Sequence, residues 1–273
     1  MRAMSSEGSA EAMLAHEVVA ESRSQLKFHS RQKSIAANSG GLLFPEEMGC
    51  AASLPSAEEF LQEFKPPDSE YCDGLTSSTQ NIDLVVQQKL FSWSGGDFKV
   101  KDTSGKDYCV VQGKVMSMRD RIVILDTSGT EIACCLEKVF SMSPAMFVYG
   151  FKPYFAGQNP TKETQNGKPL YAWAKVWNTV LAVRQKYNIQ MAIGDDEYSD
   201  TNSPDYEATA PGLLAPRLQV AKGDAGCALI ERPTIDWEFA NSYRVTVAKG
   251  IDPILMLALT ICKDKLEEKK NDG

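Results

Sequence analysis

The feature that most constrains the fold is an apolar stretch near the C-terminus, residues 254–262, which contains no charged side chain. It follows Asp252 and Pro253, residue types that favour the N-cap and the first position of a helix. A helix that is apolar on every side has to be buried on every side. A helix of this length spans about 14 Å, less than half of a bilayer core of roughly 30 Å. We therefore expect a helix that is enclosed by protein.

Short predicted strands precede this helix and are its natural enclosure. From about residue 84, apolar and polar residues alternate with the period of two that is typical of strands, most clearly over residues 187–193. Trp173 and Trp177 are four residues apart in one predicted strand, so we expect them to share a face. About a dozen short strands and one late helix predict a mainly β fold: a closed antiparallel barrel around a central hydrophobic C-terminal α-helix.

The sequence Asp-Thr-Ser-Gly occurs twice, at 102–105 and at 126–129. Asp accepts local hydrogen bonds and Gly readily takes a positive φ, so both copies predict turns between neighbouring antiparallel strands. A meander of hairpins follows from this spacing.

Composition divides the chain into two parts. Residues 1–80 are rich in Ser, Ala and Glu and are interpreted as a disordered, regulatory tail with short transient helices, one of them at about 8–28. Residues 81–273 form the predicted barrel domain. Within it, the acidic segment 194–216 is interpreted as a long loop insertion. Its acidic residues, at 195–200, lack the Gly and the final Glu of an EF-hand, which favours a solvated loop over a calcium site.

A second helical signal lies late in the tail. Ser56 and Glu59 have capping-box spacing, and Phe60, Leu61 and Phe64 would share one helical face. Two interpretations remain open: a docking peptide for the groove of a partner protein, or a transient helix within a disordered arm.

Histidine and cysteine usage limits the chemistry. Both histidines, His16 and His29, lie in the tail, so the barrel domain lacks the histidine of a Ser-His-Asp or Cys-His pair. The seven cysteines form no C-x-x-C motif, which favours reduced thiols in an intracellular protein. Adjacent Cys134 and Cys135 should point to opposite faces of a strand. We predict no catalytic residue, no metal site and no cofactor.

Charge and hydropathy indicate the expected environment. The tail carries a net charge of −6 and residues 81–273 carry −1, whereas a dedicated duplex-DNA binder would be strongly basic. We expect no nucleic-acid partner. No apolar run has the length of a membrane-spanning helix, and the N-terminus lacks the apolar core of a signal peptide. We expect an intracellular, cytoplasmic protein that can attach peripherally to a membrane.

Residues 108–129 read Tyr-Cys-Val-Val-Gln-Gly-Lys-Val-Met-Ser-Met-Arg-Asp-Arg-Ile-Val-Ile-Leu-Asp-Thr-Ser-Gly. This block resembles the core pattern of the LURP-one-related family: V-x-G-K, then S-(L/M)-R-D, an apolar strand and D-x-x-G. Residues 250–259 are similar to the last helix of that family, and the resemblance covers roughly 84–265. It implies the tubby C-terminal-like superfold shared with phospholipid scramblases, a twelve-stranded barrel around a hydrophobic helix. The segment 194–216 and the long tail depart from the minimal form of the family.

The resemblance implies little about activity. Plant members of the family are linked to defence responses, and tubby barrels bind phosphoinositides through basic residues on the outer wall, which no motif places in this chain. Residues 81–190 carry 14 bases and 9 acids. We therefore hypothesise a patch that binds anionic lipids, formed by Lys114, Arg119, Arg121 and Lys138. The alternative is that Arg119 and Arg121 flank a turn with a local ion pair to Asp120.

Three functional interpretations follow. The favoured one is a non-enzymatic binding or scaffold protein that reads anionic membrane lipids such as phosphoinositides, with a protein partner engaged through the tail. The second is a scramblase-like membrane-associated protein, which would need a long apolar run that the sequence lacks. The third is an enzyme of unassigned class that uses carboxylates or thiols. It would need a cluster of perturbed titratable groups in a deep pocket.

Overall fold

The structure is a computed structural model. The residues that it describes are 55–65, 79–88, 98–114, 121–137, 144–179, 185–193, 203–211, 217–232 and 242–272. Several predictions concern residues outside these ranges: the helix at 8–28, the acidic residues 195–200, and the side chains of Arg119 and Lys138.

The described residues form two helices and fourteen strands. The helices are α1 (Ala57–Phe60) and α2 (Pro253–Asp272). The strands are β1 (Ile82–Gln88), β2 (Phe98–Asp102), β3 (Asp107–Lys114), β4 (Arg121–Leu125), β5 (Glu131–Glu137), β6 (Ala145–Gly150), β7 (Thr164–Gln165), β8 (Lys168–Pro169), β9 (Tyr171–Asn178), β10 (Lys186–Met191), β11 (Tyr206–Thr209), β12 (Arg217–Lys222), β13 (Ala225–Glu231) and β14 (Ser242–Val247).

Twelve of these strands close into an antiparallel barrel, in the order β1-β14-β13-β12-β11-β10-β9-β6-β5-β4-β3-β2. The closing seam joins the first strand to the last, with Leu84 opposite Val245. The remaining pair, β7 and β8, forms a separate hairpin. The predicted closed barrel of about a dozen strands is therefore confirmed.

Helix α2 is buried by the barrel, as its sequence requires. Asp252 caps its N-terminus, because Oδ1 accepts hydrogen bonds from the backbone N–H groups of Ile254 (2.8 Å) and Leu255 (3.3 Å). Every residue from 254 to 262 is at most 2% exposed. The one hydroxyl of this stretch, on Thr260, donates to the carbonyl of Met256 at 2.9 Å, so its burial leaves no unmet donor.

The wall has a second apolar layer on part of its outside. Strand β4 is buried on both faces: Ile122 and Ile124 belong to the inner core with α2, whereas Val123 and Leu125 belong to an outer cluster. Residues 151–170, which include the β7–β8 hairpin, contribute Phe151 and Leu170 to that cluster. Adjacent Cys134 and Cys135 fall in the outer and the inner cluster respectively, as predicted.

Both Asp-Thr-Ser-Gly segments form the expected turns, between β2 and β3 and between β4 and β5. Oδ1 of Asp102 accepts from the backbone N–H groups of Ser104 and Lys106, and Asp126 does the same for Ser128 and Thr130. The final glycines have φ values of +82° and +86°. The φ values explain why glycine ends each motif.

Two sequence-based predictions need correction. The segment 194–216 is not a loop throughout, because residues 206–209 form β11 between β10 and β12. Its two inward residues, Tyr206 and Ala208, are too few to give a visible alternation.

The second correction concerns Trp173 and Trp177, which do not share a face. Val148 pairs with Ala174 and Tyr149 with Ala172, so Trp173 is the extra residue of a β-bulge. Trp173 enters the inner core, whereas Trp177 is half-buried beneath Lys175.

The closing seam carries a polar clasp on its outer face. Asp83 of β1 accepts hydrogen bonds from the guanidinium of Arg244 (2.8 Å) and the hydroxyl of Thr246 (2.5 Å), both on β14. Burial by itself would raise the pKa of Asp83, but these hydrogen bonds and the positive charge of Arg244 outweigh it and hold the pKa below its ordinary value.

The free energy of unfolding should be highly sensitive to the loss of side-chain atoms from the central helix. Leu257 is fully buried, so Leu257→Ala should lower the free energy of unfolding by about 3 kcal/mol, through lost burial and the cavity that remains. Ile193 is 63% exposed, so the matched control Ile193→Ala should change it by less than about 0.5 kcal/mol. Urea unfolding followed by tryptophan fluorescence measures both, and equal effects would contradict a buried helix.

The clasp at the seam predicts a dependence of stability on pH. A carboxylate whose pKa is lowered by folding contributes stability above its unfolded pKa, and loses it as the pH falls through the folded pKa. Asp83→Asn should therefore reduce the loss of stability between pH 5 and about pH 2, relative to the unmodified chain. Thermal unfolding across that range measures the difference, and parallel curves would show that the clasp is not coupled to folding.

Candidate functional site

Of the four basic residues predicted to bind lipid, Arg121 is the one whose side chain the structure describes. Its Nη1 donates to the carbonyl of Thr164 (3.0 Å) and to Oε1 of Gln165 (2.6 Å), which fastens strand β7 to the barrel wall. Lys114 lies opposite Arg121 in the β3–β4 register, but its side chain is outside the described set, as are Arg119 and Lys138. The role of the four residues in lipid binding stays a prediction.

The hairpin above Arg121 was missed in the sequence, although it carries a recognisable signal. Asn166 and Gly167 have φ values of +51° and +75°, which are typical of the two-residue Asn-Gly turn. Glu131 on β5 accepts from Asn166 and Lys168, both at 3.0 Å. The hairpin therefore covers the part of the wall where Arg121 lies.

A cleft of about 250 Å³ lies at the end of the barrel where α2 begins. Aromatic and lysine side chains dominate its lining, which includes Phe64, Lys65, Tyr154, Phe155, Tyr206 and Lys222. Nζ of Lys222 lies 5.6 Å from the centre of the Tyr206 ring, within the range of a cation–π contact. The helix cap Asp252 also lines the cleft. We call this site the mouth cleft.

The chemistry of the mouth cleft suits binding better than catalysis. Asp252 is 2% exposed and its Oδ1 already caps α2, so it serves the helix. Burial, with a smaller contribution from the charges of Cys227 and Asp252, raises the pKa of Tyr206, which keeps this phenol protonated near neutral pH. Apolar rings with lysines beside them can hold a small molecule that has an apolar body and an anionic group.

A polar cluster surrounds α2 where it leaves the barrel. The hydroxyl of Tyr187 donates to Glu267 at 2.9 Å, and that of Tyr243 donates to Asp264. Arg232 donates to both Tyr243 and Asp264. Burial, and then the neighbouring carboxylates, raise the pKa of both tyrosines, so they remain hydrogen-bond donors. Sequence reasoning missed this cluster because its members are far apart in the chain: they lie on β10, on β14, directly after β13 and on α2.

The described thiols are poor nucleophiles. Cys109, Cys134, Cys135, Cys227 and Cys262 are all free and buried. Burial raises the pKa of Cys109 to about 12 and that of Cys227 to about 11. Contact with Cys262, followed by burial, raises the pKa of Cys135. Since the thiolate is the reactive form, these residues do not support thiol catalysis at neutral pH.

Two features are absent from the described residues. No described group of three or more His, Cys, Asp or Glu side chains could hold a metal ion. No helix within the described ranges combines the length and the apolar character needed to cross a bilayer.

Residues 55–65, which we call the strap, lie against the same end of the barrel as the mouth cleft. The predicted capping box forms, since Ser56 Oγ accepts from Glu59 N–H (3.3 Å) and Ser56 N–H donates to Glu59 Oε2 (2.8 Å). Leu61 and Phe64 pack against the inner core, and Phe64 and Lys65 form one wall of the cleft. A segment assigned to the tail is thus joined to the barrel.

Three comparisons relate the chain to known proteins. The sequence model of the LURP-one-related family matches residues 82–264. The chain is 32% identical to the Arabidopsis thaliana protein LURP-one-related 15 over 75 residues, which are 28% of this chain and 32% of that protein. The chain therefore spans about a third of the length of this curated relative. An Arabidopsis thaliana protein solved by X-ray crystallography is 20% identical, with a TM-score of 0.47, over 71% of this chain and 96% of the other.

The buried thiols predict a low reactivity in the folded protein. At pH 8, Ellman's reagent should react within minutes with at most two thiols, Cys50 and Cys72, which lie outside the described residues. All seven should react in denaturant. A third fast thiol in the native chain would contradict the burial, and labelling followed by peptide mapping would identify it.

Proposed function

This chain belongs to the LURP-one-related family, and we propose that its barrel is a non-catalytic binding module that works through its outer surfaces. The observation that carries the proposal is the filled interior, in which residues 254–262 of α2 occupy the space that other barrels use for a ligand. Substrates therefore have no route to the barrel axis, and recognition falls to the ends and the outside wall.

The state of the titratable groups supports the same proposal. An enzyme needs an acid, a base or a nucleophile whose pKa is matched to its task. Among the described tyrosines and thiols, each of these shifted pKa values is raised, which favours the neutral form of the side chain. The cluster around Tyr243 and Asp264 is tied into hydrogen bonds that hold the end of α2. These are the features of a scaffold.

For the ligand, we propose an anionic phospholipid surface. The support is the excess of 14 bases over 9 acids in residues 81–190, and each basic residue near such a surface contributes about 1 kcal/mol. Arg121 already donates to the β7–β8 hairpin, so its share should be small. Lys114, Arg119 and Lys138 are then the residues expected to supply most of the attraction.

Co-sedimentation of the full chain with vesicles tests the lipid proposal. Vesicles of phosphatidylcholine alone, and with added phosphatidylserine or phosphoinositide, are compared at low and at physiological salt. We expect binding to the anionic vesicles that weakens as salt rises. Reversing two charges, Arg119→Glu with Lys138→Glu, should weaken it about tenfold or more, because about 1 kcal/mol is lost for each removed base.

The matched control is Lys162→Glu with Lys152→Glu, which changes the net charge equally within the same segment of the chain. If both double variants lose the same amount of binding to anionic vesicles, the result would contradict a defined patch and indicate only general charge attraction. If no anionic vesicle binds the chain at low salt, the lipid proposal fails. The binding-module proposal would then stand with a protein or small-molecule ligand.

A further inference from the structure

The strap is bound to the barrel in the manner of a peptide ligand. Leu61 forms a parallel bridge with Gly226 at the start of β13, and the next N–H, of Gln62, donates to the Gly226 carbonyl at 3.0 Å. Two residues later, Phe64 N–H donates to the carbonyl of Lys249 at 2.9 Å. Backbone pairing of an extended segment to a strand end is a common mode of peptide recognition.

Two glycines leave room for the strap. A Cβ atom at Gly226 would lie under 3.0 Å from the backbone oxygen of Phe60, and one at Gly250 would lie as close to that of Phe64. Gly250 also has a φ of +81°, which by itself favours glycine. Gly226 is not among the glycines of positive φ, so the close approach of the strap is what requires the missing side chain at this position.

Side chains complete the contact. Leu61 and Phe64 are half-buried and pack on the inner core, whereas helix α1 buries no residue of its own. At the rim, Lys249 pairs with Glu63 at 2.5 Å, and Arg217 Nη1 donates to the carbonyl of Pro55 at 2.7 Å. The barrel thus offers two apolar contacts and a basic rim to an acidic strap. We call this surface, formed by Arg217, Gly226, Lys249 and Gly250, the strap groove.

The contacts that hold the strap are few and mostly accessible to solvent. An exposed ion pair adds little, and two backbone hydrogen bonds with two half-buried side chains make a modest interface. The strap stays in place because it is tethered: 16 residues separate Lys65 from Ile82 of β1, which keeps its local concentration high. A competing segment could therefore replace it.

We propose that the strap groove is a docking site for a linear segment of a partner protein, and that the strap is its built-in competitor. A segment that fits the groove follows the pattern of the strap. It has a Ser or Thr N-cap and an acidic residue three positions later, like Ser56 and Glu59. An apolar pair comes directly after the acidic residue, and an aromatic residue lies three positions after the second apolar residue, as Phe64 follows Leu61. An acidic residue before that aromatic would meet Lys249, as Glu63 does. Binding of the partner would also remove Phe64 and Lys65 from the wall of the mouth cleft.

The first experiment frees the groove within the full chain. Leu61→Asp with Phe64→Asp removes the apolar contacts of the strap, and a fluorescein-labelled peptide of residues 54–66 is then added in trans. By fluorescence anisotropy, we expect the peptide to bind this variant at least tenfold more tightly than the unmodified chain, whose own strap competes. A peptide with the same two substitutions should bind neither chain.

Gly226→Ala provides the matched control. Added to the freed variant, it should abolish peptide binding, because the new Cβ collides with the backbone of the docked segment. Equal affinity of the peptide for the freed and the unmodified chain would overturn the proposal. Binding to neither chain, or binding that survives Gly226→Ala, would overturn it as well.

A second measurement does not depend on the folding of the freed variant. In the otherwise unmodified chain, Gly226→Ala should displace the strap and increase cleavage by Glu-C protease after Glu63 about tenfold, with the thermal unfolding of the barrel little changed. Unchanged cleavage would show that the groove does not hold the strap. Light scattering tests whether the groove instead binds the strap of a second copy of this chain. A stable dimer that exchanges straps would show this, and it would overturn the proposal of a partner protein. None of these results depends on whether the chain binds lipid.

Discussion

The structure depends on the burial of one helix that has no polar side. Such a helix cannot lie on a surface, because some apolar face would always meet water. A wall on every side is needed, and a closed antiparallel sheet supplies it without leaving an unpaired strand edge. The same solution fills the interior, with every residue from 254 to 262 at most 2% exposed. Recognition is therefore left to the two ends and the outer wall.

Both ends of the helix carry polar groups, and those at the exit hold it in place along the barrel axis. At the start, Asp252 caps the first free N–H groups beside the mouth cleft. At the exit, Lys263 is only 6% exposed although it carries a charge, and it pairs with Glu267 at 2.8 Å. Its ammonium also lies 5.3 Å from the centre of the Tyr243 ring. Lys263 and Glu267 both lie on α2, so a sliding helix would keep this pair but would move it away from the wall. The contact of Lys263 with Tyr243 and the hydrogen bond that Tyr187 donates to Glu267 would break. The apolar middle provides the stability, and the contacts at the exit provide the position.

Added segments modify the outside of the barrel. The β7–β8 hairpin covers an apolar part of the wall and takes up Arg121, while the strap covers the groove beside the mouth cleft. Both additions are attached through side chains and a few backbone bonds, whereas the strands of the wall share continuous ladders. Local opening is expected first where such contacts are fewest. This difference makes the strap a better candidate for a regulated element than any part of the wall.

The sequence by itself determined the elements whose signals are local. The apolar run at 254–262, the capping residues Asp252 and Pro253, and the two Asp-Thr-Ser-Gly turns all specify structure through neighbours in the chain, and all were predicted correctly. The closed antiparallel barrel followed from the pattern of strands around the run. The resemblance to the LURP-one-related family was carried by such a local block, and the family match over 82–264 confirms it.

Tertiary structure alone decided what depends on distant partners. Pairing with β6 places a bulge at Trp173, which turns this side chain to the opposite face from Trp177. The four-residue strand β11 forms because it pairs with β10 on one side and with β12 on the other. Arg121 was assigned to a lipid-binding patch, and residues 164–165, more than forty positions away, accept hydrogen bonds from its guanidinium. The strap looked like part of a free tail because the residues that bind its backbone, Arg217, Gly226 and Lys249, lie far along the chain. Periodicity reports which side of an element is apolar, but only the fold determines what covers it.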